Sequence, residues 1–452
     1  MPGYGCKRDR VVLTAGLLFI LGGLPACQSL LWWQRTALEV TVTPQKPEVP
    51  PPPRASVFDL SETTEVVGDL YVVTTREDDT LFDLARRYNL GIGEIVAANP
   101  GVDRWLPGAG TAIVLPTRHV LPHAPRQGLV LNLAAMRLFY FPKAADGATP
   151  QVITHAIGIG REGWGTPLGV STIVKKVVNP TWYVPQSILK EHAQSGDPLP
   201  AKVPPGPDNP LGAFALRLGF PSYLIHGTNK PAGIGMRVSH GCVQLYPEDI
   251  EALFAHIPLG TPVRILNQPY LAGWRDGALY LQAYPLLSEQ RRAWGDDLQP
   301  LQQVIKEALQ RSTIETAIDW EKAQRLALAA RGIPVGLSPA APDLEQIVAT
   351  LPVYQTPTGG VSFLDTVVVA GLTTANKGWF IQAGSFRLER NAQKLVAMLR
   401  HMGPPILAKP ITADGMHRVL AGPFSSRGEA KRNAARIESS LGEDTAIFAN
   451  FD

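Results

Sequence analysis

The sequence predicts a multidomain α+β protein, and three observations predict it. At 452 residues the chain exceeds what one ordinary core can organise. Its 41 prolines mark linkers and loop-rich β structure rather than a helical bundle. The hydrophobic period also changes along the chain, from short mixed units at both ends to alternating apolar strands in the middle. Apolar content of 45% is that of a globular protein, and a net charge of +3 comes without the clustered basic patch that a nucleic-acid partner requires.

Residues 1–27 read as a targeting segment. Lys7, Arg8 and Arg10 precede an uncharged apolar run over 11–21, short for a spanning helix of ~20 residues. Leu24-Pro25-Ala26-Cys27 resembles the lipobox of bacterial lipoproteins, although proline is not the usual residue there. The resemblance implies cleavage before Cys27, lipidation of its thiol and a periplasmic protein held to a membrane by lipid. Gln28 as the next residue implies the outer membrane; the alternative is an N-terminal anchor that is never cut. Cys6 is then removed and Cys27 acylated, so Cys242 has no disulfide partner. An unpaired thiol in an oxidising compartment is a liability unless it has a chemical task.

Residues 28–66 form a spacer whose proline-rich stretch over 41–56 favours extended polyproline structure. A small unit follows over 69–117. Tyr71-Val72-Val73 reads as a strand, and Thr80 caps a helix carrying Leu81, Leu84 and Ala85, with Asp83 three residues on. A second helix carries Ile92, Ile95 and Val96 and stops at Asn99-Pro100-Gly101; residues 112–115 give the closing strand. This βααβ order, with Asp-Thr-Leu, Ala-Arg-Arg-Tyr and Ala-Asn-Pro-Gly, resembles the LysM module. The resemblance implies binding to N-acetylglucosamine-containing glycan, through loops after the first strand and after the second helix.

Residues 127–267 predict a mostly β domain. Residues 129–133 and 137–141 alternate as a hairpin, 152–159 and 170–178 add strands, and Tyr223-Leu224-Ile225 runs into His226. Residues 247–257 read as one helix, with Asp249 and Glu251 early in it, and 263–266 close the unit. Inside it lie His226-Gly227-Thr228 and Ser239-His240-Gly241-Cys242-Val243. A sulfur nucleophile needs a base to take its proton and backbone N–H groups to hold the oxyanion it creates. Two imidazoles are on offer: His226 at the end of an apolar strand, and His240 two residues before the thiol, on the same face of an extended segment.

These residues, with Asn179-Pro180-Thr181-Trp182, the Pro205–Gly212 stretch and Gly233–Ser239, resemble the L,D-transpeptidase (YkuD-type) catalytic domain of enterobacterial periplasmic enzymes. The resemblance implies Cys242 as nucleophile and His226 as general base, oriented through the backbone carbonyl of Gly227. It implies His240 and Gly241 in the oxyanion region, and Ser239, Arg237, Thr228 and Gln244 in substrate binding. Gln244 departs from the arginine or asparagine usual at its position. The implied reaction attacks a peptidoglycan tetrapeptide stem, expels D-alanine and passes the acyl group to an amine. That amine is a diaminopimelate side chain, giving a 3-3 cross-link, or the C-terminal lysine of an outer-membrane lipoprotein. No metal or organic cofactor is implied, and carbapenem acylation of Cys242 is.

Rival readings are weaker. Gly158-Ile159-Gly160-Arg161-Glu162-Gly163 satisfies G-x-G-x-x-G, but Trp164-Gly165-Thr166-Pro167 is a poor helix opening for a dinucleotide site. His226, His240 and Cys242 lack the paired short intervals of zinc sites. Histidine before cysteine also argues against papain-like peptidases.

Residues 268–375 read as a helical connector, from helical spacing over 286–311 and 314–331. The last unit, 376–452, opens on Gly378-Trp379-Phe380 and repeats a β-α half, each half with an aromatic after Gly-Ser or Gly-Pro. It resembles the ferredoxin-like α/β SPOR domain, which implies binding to glycan strands stripped of peptides and enrichment at the division septum. Phe380 and Phe386 are its candidate sugar-facing aromatics. The alternative for the whole chain is a non-catalytic lipid-anchored tether between membrane and peptidoglycan.

Overall fold

The computed structural model describes residues 54, 56–194, 198–356, 378–442 and 445–450. The targeting segment, Cys27 and the spacer up to residue 53 lie outside the described residues, as do residues 357–377. None of the helices among the described residues is long and apolar enough to cross a membrane.

A nine-stranded sheet forms the centre. Its spatial order is Val57–Asp59, Gln151–Ala156, Arg137–Phe141, Gly128–Asn132, Pro262–Leu266, Gly169–Val178, Phe214–Leu218, Leu224–His226 and Val243–Gln244. The expected hairpin is present, with Leu131 opposite Leu138. The single strand expected over 152–159 divides into Gln151–Ala156 and a short piece, Ile159–Gly160, that pairs with Arg237–Ser239 instead. Alternation drives one sheet face inward: Leu129, Leu131, Leu216, Ile225 and Val243 are buried together with Ile250 and Leu253 of the Pro247–His256 helix. That core holds the last two strands, which carry the site, against a helix.

The βααβ order appears as Tyr71–Thr74, Leu81–Arg87, Ile92–Ala98 and Ala112–Leu115. Thr80 and Asp83 form the expected capping box. A third strand, Val353–Gln355, joins Tyr71–Thr74 in parallel and comes from the connector. The module is welded to the loop ahead of Arg237–Ser239. Ile92 N–H donates to Ile234 O at 3.0 Å and Gly93 N–H to Gly235 O at 3.2 Å. No side chain fits this seam: a Cβ on Gly235 would lie 2.5 Å from Gly91 Cα.

The connector is not purely helical. Tyr270–Arg275 and Ala278–Ala283 form a hairpin, extended by Val335–Gly336, beneath helices that include Gln299–Gln310 and Trp320–Ala329. Asp276 and Gly277, both at positive φ, make its two-residue turn. The last unit has βαββαβ order, with strands Ala408–Ala413, Met416–Phe424, Gly378–Phe386 and Ala446–Asn450 side by side under two helices. Phe386 packs into the helix-side core, and Phe380 is 6% exposed.

Candidate active site

The strand Leu224–His226 runs parallel to Val243–Gln244, with Ile225 opposite Val243 and His226 opposite Gln244. Ile225 and Val243 point into the core, so alternation turns Leu224, His226, Cys242 and Gln244 to the other face. Continuing the register by one residue sets Cys242 opposite Leu224 and diagonal to His226.

His226 Nδ1 lies 2.6 Å from the carbonyl oxygen of Gly227, which can only accept. In the neutral ring the hydrogen therefore sits on Nδ1, and Nε2 keeps the basic lone pair. Burial pushes the His226 pKa down to about 4, against the pull of the Gly227 and Leu211 carbonyls. Burial also pushes the Cys242 thiol up, opposed by backbone at Leu224. Its sulfur is 3.8 Å from Ser222 O. Both shifts favour the uncharged forms, a thiol and a neutral imidazole.

The other expected residues are arranged around this pair. Gly241 adopts φ +102°, and a Cβ there would meet Tyr223 Cε1 at 2.8 Å. Its N–H donates to Ser239 Oγ at 3.1 Å, and that hydroxyl donates to Cys242 O at 2.5 Å. Ser239, 6% exposed, therefore spends its hydroxyl inside the cysteine loop rather than facing a substrate. Arg237 donates to Gly160 O at 3.1 Å and to Glu289 at 2.7 Å. Its guanidinium ties the loop to the connector helix Ser288–Trp294, and through that bond holds the Glu289 carboxyl at about 2. Thr228 is buried, its hydroxyl accepting from Lys230 N–H at 2.9 Å. Gln244 exchanges two backbone hydrogen bonds with Gly158, at 2.8 and 2.9 Å.

His240 is drawn into a network the sequence did not reveal. Its Nε2 is 3.0 Å from Arg161 Nη2 and 3.1 Å from Glu191 Oε2, and Arg161 also pairs with Glu191. Trp164 meets the ring edge-on at 4.9 Å. Burial lowers the His240 pKa, and the Glu191 bond raises it back in part. Glu191 sits on the helix Gln186–Gln194, an element with no expected counterpart. Thr166 was also missed; its hydroxyl accepts from Gly160 N–H at 3.0 Å and donates to Gly241 O at 2.9 Å. Among the described residues no group of three or more His, Cys, Asp or Glu side chains could hold a metal ion.

The loops expected to wall a glycan groove on the βααβ module are covered by the C-terminal unit. Arg400 donates to Asp83 at 2.7 Å and to Asp78 O at 2.9 Å, and His401 Nε2 lies 3.0 Å from Thr80 Oγ1. The His401 ring leans on the stacked pair Phe82 and Trp105.

Two protein families match the chain. The L,D-transpeptidase catalytic domain family matches residues 126–265, and the SPOR domain family matches residues 375–448. The probable L,D-transpeptidase YbiS of Escherichia coli K12 is 39% identical over 280 residues, 61% of this chain and 89% of that one. The probable L,D-transpeptidase ErfK/SrfK of Salmonella typhimurium is 36% identical over 290 residues, 63% of this chain and 91% of the relative. YcfS of Escherichia coli K12, also a probable L,D-transpeptidase, is 37% identical over 291 residues, 63% of this chain and 89% of its own.

Proposed function

This chain belongs to the L,D-transpeptidase family, and on that premise we propose that Cys242 is acylated by a peptidoglycan tetrapeptide stem and hands the acyl group to an amine. The observation that carries the reading is the contact of His226 Nδ1 with Gly227 O, on the face that also bears Cys242. It leaves Nε2 as the base. In the first step Nε2 takes the thiol proton, sulfur attacks the carbonyl between diaminopimelate and D-alanine, and the C–N bond breaks. The proton on His226 goes to the departing D-alanine amine. In the second step the acceptor amine attacks the thioester, gives its proton to His226, and the sulfur leaves to be reprotonated. The acceptor is a lipoprotein C-terminal lysine, the narrow favourite, or a diaminopimelate side chain.

The surrounding units fit work at the wall. The βααβ module read as LysM and the C-terminal SPOR domain hold glycan, and lipid on Cys27 holds the chain to the outer membrane from the periplasmic side. The SPOR domain enriches it at the septum. Intact-protein mass spectrometry with a disaccharide-tetrapeptide tests the chemistry. An adduct equal to substrate minus D-alanine, absent from Cys242→Ala, is expected; no adduct with intact peptidoglycan binding would favour a tether.

A further inference from the structure

Two hydroxyls grip the backbone on either side of the nucleophile. Thr166 Oγ1 accepts from Gly160 N–H at 3.0 Å and donates to Gly241 O at 2.9 Å. Ser239 Oγ accepts from Gly241 N–H at 3.1 Å and donates to Cys242 O at 2.5 Å. Each hydroxyl has one proton to give, and each gives it to a carbonyl of the cysteine loop. Both side chains are largely out of water, Thr166 at 9% and Ser239 at 6% exposure.

The Gly241 carbonyl and the Cys242 N–H belong to one peptide unit. That unit is planar and trans, so its oxygen and its hydrogen point to opposite sides. A bond that fixes the oxygen therefore aims the hydrogen. Thr166 is well suited to fix it: its β-branch restricts χ1, and Pro167 restricts its backbone. Gly160 allows the approach, because a Cβ there would meet Trp164 O at 2.1 Å and Gly241 Cα at 2.9 Å.

We propose that Thr166 is a positioning residue that turns the Cys242 N–H toward the acyl oxygen and so builds the oxyanion site, while Ser239 steadies the two peptide units that flank it. Thr166 touches neither the sulfur nor the imidazole. The inference rests on the reading of Cys242 as nucleophile, and two readouts on the full chain separate them. Acylation by the disaccharide-tetrapeptide needs the oxyanion donor; alkylation by iodoacetamide needs only thiol and base. Thr166→Val is expected to slow acylation by about 10- to 100-fold at unchanged KM, below the roughly 10²–10³-fold set by loss of a whole oxyanion donor, because the N–H is misaimed rather than removed. Its alkylation rate and the pH profile of alkylation stay at wild type, and Thr166→Ser restores acylation. Ser239→Ala shows the same split, and with Thr166→Ser it carries the test if the valine variant does not fold. Wild-type acylation in Thr166→Val or in Ser239→Ala, or alkylation falling in step with acylation, overturns the proposal. If the unmodified chain forms no adduct, it is the reading of Cys242 that fails.

Discussion

Arg137 and Glu94 form a bidentate ion pair, 2.9 and 2.8 Å, with the two side chains 1% and 7% exposed. Arg137 lies in the central sheet and Glu94 in the second helix of the βααβ module, so the pair is a buried joint between units. Arg137 also donates to Asn89 O at 2.8 Å. Removing one partner strands a charge away from water. Glu94→Ala is expected to destabilise the protein by about 3–5 kcal/mol, and a Glu94→Ala/Arg137→Met double variant by much less. Urea unfolding of the three proteins checks this.

The glycine seam predicts a second loss. Gly235 sits at φ +84° with no room for a methyl group against Gly91. Gly235→Ala combines strain with overpacking, and a cost of roughly 2–4 kcal/mol is expected. Limited proteolysis should then release the module from the catalytic domain; a digestion pattern like that of the wild type would argue against the seam.

His226 and His401 set a pH dependence of stability. Burial holds both at about 4 in the folded chain, against 6.5 when exposed. Above pH 6.5 neither state binds the proton, and the term vanishes. As pH falls from 6.5 toward 4 the unfolded chain takes up protons that the folded chain refuses, so stability drops. Each site contributes a loss of order 3 kcal/mol by pH 4. His401→Gln should flatten thermal unfolding temperatures across that window.

Catalysis should ignore most of the same window. The base must be neutral, and His226 stays neutral down to about 4. Acylation rates measured on folded protein are expected to be flat from pH 5.5 to 7.5, within the approximations of a single-site profile. A midpoint inside that range that disappears in His240→Gln would transfer the base role to His240. His226→Gln is expected to lower acylation by about 10²–10⁴-fold.

Contacts at the C-terminal unit give a further test. Arg400→Glu with His401→Ala removes the donor to Asp83 and the ring that leans on Phe82 and Trp105. Binding of a chitooligosaccharide to the full chain should tighten in this variant and be lost on adding Trp105→Ala. Equal affinity before and after undocking would show that the covered loops hold no sugar.

The cysteine, its two histidines and the strand alternation around them were legible because they are local. A motif of a few residues on a β period places side chains on a face without reference to the rest of the chain. Thr166, Arg161 and Glu191 were not legible, because each meets the cysteine loop from 49 to 79 positions away. The same holds for Ser239 and Arg237. Their residue types suit substrate contact, and only the packing shows one hydroxyl turned inward and one guanidinium spent on Glu289. The hairpin over Tyr270–Ala283 turns on Asp276-Gly277, a two-residue signal that lies outside the helical spacing over 286–311 and 314–331.

The strand Val353–Gln355 lies beside Tyr71–Thr74, with Thr74 Oγ1 reaching Tyr354 O across 280 residues of sequence. A chain synthesised from its N-terminus delivers two strands of that small sheet early and the third only after the whole catalytic sheet has emerged. The first unit to appear is thus completed only after the catalytic sheet, by a segment that follows everything between. The N-terminal sheet thus closes only on a chain that has reached residue 355, and a fragment ending at residue 117 carries an open edge where that strand belongs.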